Sequence, residues 1–307
     1  MLPHGGLPVN ILVSGSTGLV GSALCPALRQ AGHRVTRLVR TRPASATGDA
    51  WWNPEAGQID PPGPDGFDAV VHLAGEGIAA GRWTAGQKAR IRDSRVQGTG
   101  LIANAIARAS RPPRVLVSAS AIGYYGDRGE TVLTEEAAPG QGFLPEVCRA
   151  WEDATSAALT RGVRVVRLRI GVVLSPKGGA LAKMLPPFRL GFGGRLGTGK
   201  QYMSWISLED LVGVIRAALQ NDTLTGPVNA VSPLPVTNSA FTAALAATLH
   251  RPALFPMPAF AARLAFGEMA DALLLASARV EPARLLAAGH IFRHPALPQA
   301  LLELLPG

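Results

Sequence analysis

Cysteine is nearly absent. Cys25 and Cys148 are the only two in 307 residues, too few for a disulfide framework, so a reducing, cytoplasmic setting is expected. Lysine is scarce as well, confined to Lys88, Lys177, Lys183 and Lys200, and arginine carries almost all of the formal charge of +9. A nucleic-acid surface would need those arginines concentrated in one segment with aromatics interleaved for stacking. They are instead spread along the chain, and aromatics make up only 6% of it. The basic excess better suits an anionic cofactor and substrate. No run of about 18 apolar residues exists to span a membrane, and the start, MLPHGGLPVN, lacks the basic-then-apolar pattern of a signal peptide. The six histidines are scattered, none with zinc-type spacing, so no metal site is expected. A small-molecule partner, and a monomer or homodimer, are what remains.

What is present is globular: 47% hydrophobic residues against 17% charged. Short β-branched runs alternate with helical patterns. Residues 10–14 (NILVS), 35–39, 68–73 (DAVVHL), 114–118 (RVLVS) and 164–170 read as buried parallel strands. Helices are expected over 19–31, stopped by Gly32, from a Thr84 cap through 110, and over 145–161. The stretch 43–66 is an irregular excursion with a short strand at Trp51-Trp52. Such alternation predicts an α/β fold, a doubly wound parallel Rossmann sheet. The dinucleotide-binding domain is expected over residues 9–176, its sheet completed by parts of 204–232. A glycine-rich loop at 191–200, a capping box at Ser207–Asp210 and Ala/Leu-rich helices make residues 177–307 a smaller, mostly helical substrate subdomain.

The first strand runs into Gly15-Ser16-Thr17-Gly18-Leu19-Val20-Gly21. A glycine triplet of this spacing is weak alone; between a strand and a helix it is a dinucleotide turn. Gly15 permits the turn, Gly18 the approach of backbone to pyrophosphate, and Gly21 the packing of the helix, whose first N–H groups meet the phosphates. The second strand should end on an acid if the cofactor is NAD. Here Val39 stands at that point, followed by Arg40 and Arg42, which either pair with the 2′-phosphate of NADP(H) or are simply solvated. Leu73, Ala74 and Gly75, after the fourth strand, are expected along the cofactor; His72 reads as a packed strand-end histidine.

The turn, HLAGE (72–76), RWT (82–84) and IRDSRVQGT (91–99) together resemble the extended short-chain dehydrogenase/reductases. SASAIGYYGD (118–127), GFLPEVCRAWE (142–152), GGALAKMLPPFRLG (178–191), GPVNAVSP (226–233) and FGEMA (266–270) are similar to one atypical branch of them. That branch is the epimerase-family, NAD(P)-binding proteins of the 39U type, which end in a domain of unknown function. The resemblance spans essentially the whole chain. It implies a Rossmann fold and NADP(H), with Ser118 and Ala119 also at the cofactor, and an oxidoreductase or epimerase; it supplies no substrate.

Ordinary members of that superfamily use Tyr-x-x-x-Lys for proton transfer. The three tyrosines here, Tyr124, Tyr125 and Tyr202, are followed four residues on by Arg128, Gly129 and Ile206. Registering the helix by Glu152 puts Leu144 at the tyrosine position and Cys148 at the lysine position. Ser120 matches the substrate-oxygen ligand, or else satisfies a loop backbone. Tyr124 or Tyr125 acts as a displaced proton donor, or both wall the nicotinamide pocket. Glu146 is either an acid–base group or a surface glutamate, and Cys148 reads as a packed small hydrophobe. Arg95 falls where extended relatives often carry Asn; it pairs with Glu146, binds an anionic substrate, or lies on the helix surface. Arg195, Lys200, Tyr202 and Trp205 resemble the substrate-covering loop. Two readings therefore stand: an NADP(H)-dependent oxidoreductase or epimerase, and a non-catalytic NADP(H)-binding sensor or scaffold.

Overall fold

A computed structural model describes residues 9–43 and 48–306; the reading of the extreme N-terminus lies outside them. The elements run β1 (Asn10–Ser14), α1 (Leu19–Gln30), β2 (Arg34–Val39), β3 (Ala50–Asn53), β4 (Gln58–Ile59), β5 (Ala69–His72), α2 (Ala85–Arg108), β6 (Val115–Ala121) and β7 (Val132–Leu133). Then follow α3 (Phe143–Asp153), α4 (Ser156–Leu159), β8 (Arg164–Ile170), β9 (Val172–Leu174), α5 (Gly179–Arg189), β10 (Tyr202–Met203), β11 (Trp205–Ser207), α6 (Leu208–Gln220) and β12 (Gly226–Ala230). The terminal part holds β13 (Val236–Thr237), α7 (Asn238–Leu249), α8 (Ala259–Phe266), β14 (Arg279–Val280), α9 (Ala283–Ala287) and α10 (Leu297–Leu304).

One eight-stranded sheet, in the order β12-β8-β6-β5-β1-β2-β3-β4, organises the molecule. All of its pairs are parallel except β3 with β4. Its central strands are covered on both faces: Leu12, Val13, Val70, Val71, Leu116, Val117, Val166 and Leu168 are buried. That is why they read as continuous apolar runs instead of alternating ones. The chain leaves β1 outward through β2 and returns to β5 on its other side, so the strand order reverses there and a crevice opens beyond the carboxyl ends of β1 and β5. The Rossmann expectation is met, and the sheet is closed by β12, from the second half of the chain.

One helix differs from the sequence reading: residues 145–161 form two helices, because Ala154 and Thr155 break the run between α3 and α4. The strand expected at Trp51-Trp52 is β3, which with β4 forms the sheet edge. The Ser207 cap opens α6 at Leu208, its Oγ accepting from Asp210 N at 3.0 Å. Thr84 caps α2 as expected, accepting from Gln87 N. Asp210 also reaches back to the C-terminal segment, accepting from the backbone N–H of Arg293 and of His294.

Behind the crevice lies a buried polar chain. Ser14 Oγ is 2.6 Å from His72 Nδ1, His72 Nε2 is 2.9 Å from Thr99 Oγ1, and Trp151 Nε1 donates to that same oxygen. Gly98 of α2 makes room: a Cβ there would lie 3.3 Å from Trp52, whose ring meets His72 edge-on. Burial with no anionic partner lowers the pKa of His72 to about 4. The unfolded chain, with an ordinary value near 6.5, takes up the proton first. Stability is therefore full above about pH 6.5 and falls as pH drops towards 4, by about 3 kcal/mol from this group. Denaturant titration between pH 7 and pH 4 should show that slope, and His72→Asn should flatten it; an unchanged slope would contradict a neutral, buried His72.

Candidate dinucleotide and substrate site

The turn after β1 is built by close backbone approach. Gly15 has φ +68°, and a Cβ on it would sit 2.7 Å from Ala74 N and Leu73 C. A Cβ on Gly21 would sit 2.2 Å from Gly15 O, so Gly21 brings α1 against the turn itself. Gly18 is the extended residue ahead of α1, with its N–H on Gly15 O at 3.1 Å. Ser16 is buried, Thr17 and Gly18 are exposed, and Leu19 and Val20 are half-buried. The first N–H groups of α1 thus face the crevice with Leu73, Ala74 and the exposed Gly75 on its other wall. This cradle fits a dinucleotide pyrophosphate: it is open where phosphates would lie and closed to any side chain at Gly15 and Gly21. Overhead, α5 starts against α1, since a Cβ on Gly179 would touch Leu19 Cδ2 at 3.2 Å.

At the end of β2, Arg40 is exposed and its carbonyl accepts from Trp51 Nε1 at 2.8 Å. Arg42 lies over the Trp51 ring at 4.0 Å and 3.4 Å from Asp60. The nearby acid Asp49, brought alongside by β3, is held by Arg37 through two bonds. Among the described residues, the two carboxylates at this corner, Asp49 and Asp60, each face an arginine, and Arg40 stands exposed beside them.

The other half of the site lies beyond β6 and β8. Ser120 Oγ donates to Glu152 Oε1 at 2.8 Å, and Arg169 grips both oxygens of the same carboxylate at 2.8 and 2.9 Å. Burial opposes the charge of Arg169, but its bonds to Glu152 hold its pKa above the ordinary arginine value. Tyr125 is fully buried; its hydroxyl donates to Asn229 Oδ1 at 2.7 Å and accepts from Arg169 at 3.0 Å. Burial raises its pKa, against the lowering by Arg169. Tyr124 is half-buried, with Arg169 stacked on its ring at 3.4 Å, and its hydroxyl bonds to none of the described residues. Ser118 and Ala119 are buried within β6.

The remaining expected residues separate. Cys148 is buried, its thiol pushed up to about 12 by desolvation, which excludes a thiolate at neutral pH. Leu144 beside it is buried too. Glu146 points to solvent from the first turn of α3 and makes no ion pair with Arg95 among the described residues. Arg95 instead donates to the carbonyls of Glu76 and Ile91, both at 3.0 Å. Arg195 and Lys200 are exposed on the loop before β10. Tyr202 is half-buried beneath Arg279, 5.1 Å from its ring. Trp205 requires a correction: it is a fully buried core residue with its indole N–H on Leu234 O, out of contact with the crevice. An aromatic beside a mobile-looking glycine loop misled the sequence reading, which had no sign that β11 plunges inward to pair with β9.

Sequence reasoning missed the Glu152–Arg169 pair as part of the site. Its only trace was a strand with three arginines, RVVRLRI, in which nothing local says that Arg169 is the one that turns inward. Trp151 and Asn229 carried no signal. Among the described residues there is no group of three or more His, Cys, Asp or Glu placed to hold a metal, and no helix long and apolar enough to cross a membrane.

A parallel sheet with a glycine cradle at its switch point and a Ser–Glu–Arg cluster beyond β6 defines a dinucleotide-site protein of the dehydrogenase/epimerase kind. The chain belongs to the NAD dependent epimerase/dehydratase family, whose model matches residues 11–230; a second model, a domain of unknown function (DUF1731), matches 257–304. It is 46% identical over 291 residues to the epimerase family protein Mb2239 of Mycobacterium bovis, covering 95% of this chain and 96% of that one. The epimerase family protein SDR39U1 of Homo sapiens is 36% identical over 300 residues, covering 96% and 99%. The crystal structure of human SDR39U1 with NADPH superposes with a TM-score of 0.88 at 34% identity, covering 96% of this chain and 98% of that one. Thermus thermophilus UDP-glucose 4-epimerase with NAD, at 18% identity and a TM-score of 0.72, shares the fold.

Gly21→Ala tests the cradle. Its methyl group cannot avoid Gly15 O, so the turn must open, and dinucleotide affinity should fall about tenfold or more. Fluorescence titration with NADPH reads this; affinity equal to the parent would show that the turn is not the pyrophosphate seat.

Proposed function

We propose that this protein is an NADP(H)-dependent oxidoreductase, or an epimerase working through such a step, acting on a small anionic substrate. The observation that carries the cofactor choice is the end of β2. Arg40 is exposed with no side-chain partner among the described residues, Arg42 lies flat on Trp51, and Asp49 is consumed by Arg37. An arginine pair of this kind suits a 2′-phosphate better than a bare ribose diol, whose two hydroxyls call for an acceptor carboxylate. The NADPH in the human relative's structure supports the same choice.

The nicotinamide, when bound, supplies or accepts a hydride. The chain must then hold the substrate and manage one proton. With Leu144 and Cys148 at the Tyr and Lys positions, the usual relay is gone. Of the hydroxyls beyond β6, that of Ser120 is directed at Glu152 and that of Tyr125 is fixed between Asn229 and Arg169. Tyr124 alone of the three is free to give its proton to a substrate oxygen, and Arg169 on its ring fixes its orientation. Ser120 offers lone pairs to a substrate hydroxyl, and Arg195 and Lys200 add positive charge at the loop. The second reading, a binding protein that senses NADP(H) without turnover, rests on the buried, chemically inert Leu144 and Cys148.

A panel of carbonyl, enone and nucleotide-sugar substrates offered to the NADPH-loaded protein decides between them. Substrate-dependent NADPH oxidation is expected, and Tyr124→Phe should lower kcat about a hundredfold with NADPH affinity unchanged. No oxidation across the panel would favour the sensor. Arg40→Asp should shift preference towards NADH by about tenfold or more; unchanged relative affinities for NADPH and NADH would sink the 2′-phosphate assignment.

A further inference from the structure

The lysine position is empty of charge, but the space beside it is not. Arg95 comes from the middle of α2 and brings its guanidinium between β5 and α3. A Cβ on the exposed Gly75 would lie 3.4 Å from Arg95 Cζ and 3.6 Å from Nη1, so the guanidinium borders the crevice wall next to the cofactor-side turn after β5. From below, the Trp151 ring supports it at 5.0 Å. Arg95 and the Cys148 thiol act on each other's charge, and registering α3 by Glu152 puts Cys148 at the position of a superfamily member's lysine. A cation is thus delivered to this wall of the crevice from α2, a different helix.

Its hydrogen bonding is half-used. Nη1 donates to the carbonyls of Glu76 and Ile91, which fixes the plane of the group. Nε and Nη2 bond to no described residue, and no carboxylate among the described residues forms an ion pair with Arg95. Glu76 reaches it through its main-chain carbonyl. Burial lowers the pKa of Arg95 from the ordinary arginine value, with Cys148 and Glu76 opposing, and the group stays charged at any physiological pH. A desolvated guanidinium without a counter-charge is costly unless something anionic completes it. One edge anchored on carbonyls and the adjacent edge open is the geometry that takes a carboxylate through two parallel N–H···O bonds.

We propose that Arg95 is the anchor for a carboxylate group of the substrate, and that it restores from α2 the positive charge lost at position 148. This rests on the substrate-binding reading above and narrows it to carboxylic acids whose reacting carbon lies a short distance from the carboxylate. Arg95 then sets both affinity and orientation, because the guanidinium plane is held by Trp151 and two carbonyls before any ligand arrives.

Calorimetric titration of the NADP⁺-saturated protein with oxamate, levulinate and phenylglyoxylate, and with methyl levulinate as the neutral counterpart, tests it. At least one carboxylate should bind saturably, and the neutral ester should bind about tenfold or more weakly than levulinate if levulinate is that ligand. Arg95→Met should weaken the carboxylate about 30-fold or more while NADP⁺ affinity stays within about threefold. Arg95→Gln, which keeps a neutral N–H donor on α2, should show the same loss and serves if the methionine variant does not fold. Three results overturn the proposal: no carboxylate binding to the parent protein, undiminished carboxylate binding in both variants, or loss of NADP⁺ affinity with carboxylate binding retained. Carboxylate binding without any turnover would remove the oxidoreductase reading and leave this one standing. Turnover of carbonyl substrates at the parental rate by Arg95→Met would do the reverse.

Discussion

The part of the molecule beyond β6 and β8 depends on one buried ion pair. Arg169 and Glu152, with side chains only 4% and 5% exposed, face each other across β8 and α3. Desolvating two such charges costs several kcal/mol each, and only near-complete hydrogen bonding offsets it. The structure supplies that. Glu152 receives two bonds from Arg169 and one from Ser120, and Arg169 gives its remaining Nη1 protons to Tyr125 Oη and the Glu135 carbonyl. Through Tyr125 the pair reaches Asn229 on β12, whose amide N–H binds Glu135. Four segments of the chain that are far apart in sequence thus share one polar cluster. Removing one partner would strand a buried charge, so the cluster fixes the position of the loop that carries Tyr124.

A second constraint comes from the cofactor side and meets the first at α3. Gly15 and Gly21 touch backbone to backbone, and Ser14, the residue before that turn, begins the chain Ser14–His72–Thr99–Trp151. Trp151 precedes Glu152 and lies under Arg95. One helix therefore carries adjacent residues that belong to the two networks: Trp151 to the dinucleotide cradle, Glu152 to the Ser–Arg–Tyr cluster. A one-residue slip of α3 would break both at once, which gives its register a tight physical definition.

These constraints explain which parts were legible in the sequence. The strands at 10–14, 68–73 and 164–170 and the glycine turn depend on local pattern and local sterics, and they stand where the sequence puts them within a residue or two. The Thr84 and Ser207 caps are equally local. Whatever depends on who faces whom was hidden. Tyr124 and Tyr125 are neighbours of one type, yet one hydroxyl is locked in the core and the other free, because a short 3₁₀ turn at residues 122–125 points them differently. Trp205 looked like a loop aromatic until β11 buried it. Glu146 and Cys148 sit two apart on α3, and only the packing of that helix shows that the cysteine goes inward and the glutamate outward.

In the function proposed above, a chain without Tyr-x-x-x-Lys keeps the physics of that pair. A proton donor and a fixed positive charge are functions of position, and position in this fold is set by three segments that converge beyond the strand ends: the turn after β5, the loop after β6, and α3. When α3 carries Leu144 and Cys148, it contributes packing: a Cβ on Gly123 would lie 3.4 Å from Leu144 and 3.7 Å from Cys148 Sγ, so the loop settles directly on these two side chains. A tyrosine and a lysine there would displace it. The smaller, apolar pair lets the Tyr124 loop come down onto α3, and the guanidinium from α2 rests on Trp151 of the same helix. On the proposed reading, Tyr124 supplies the hydroxyl and Arg95 the cation, both positioned around the Glu152–Arg169 pair.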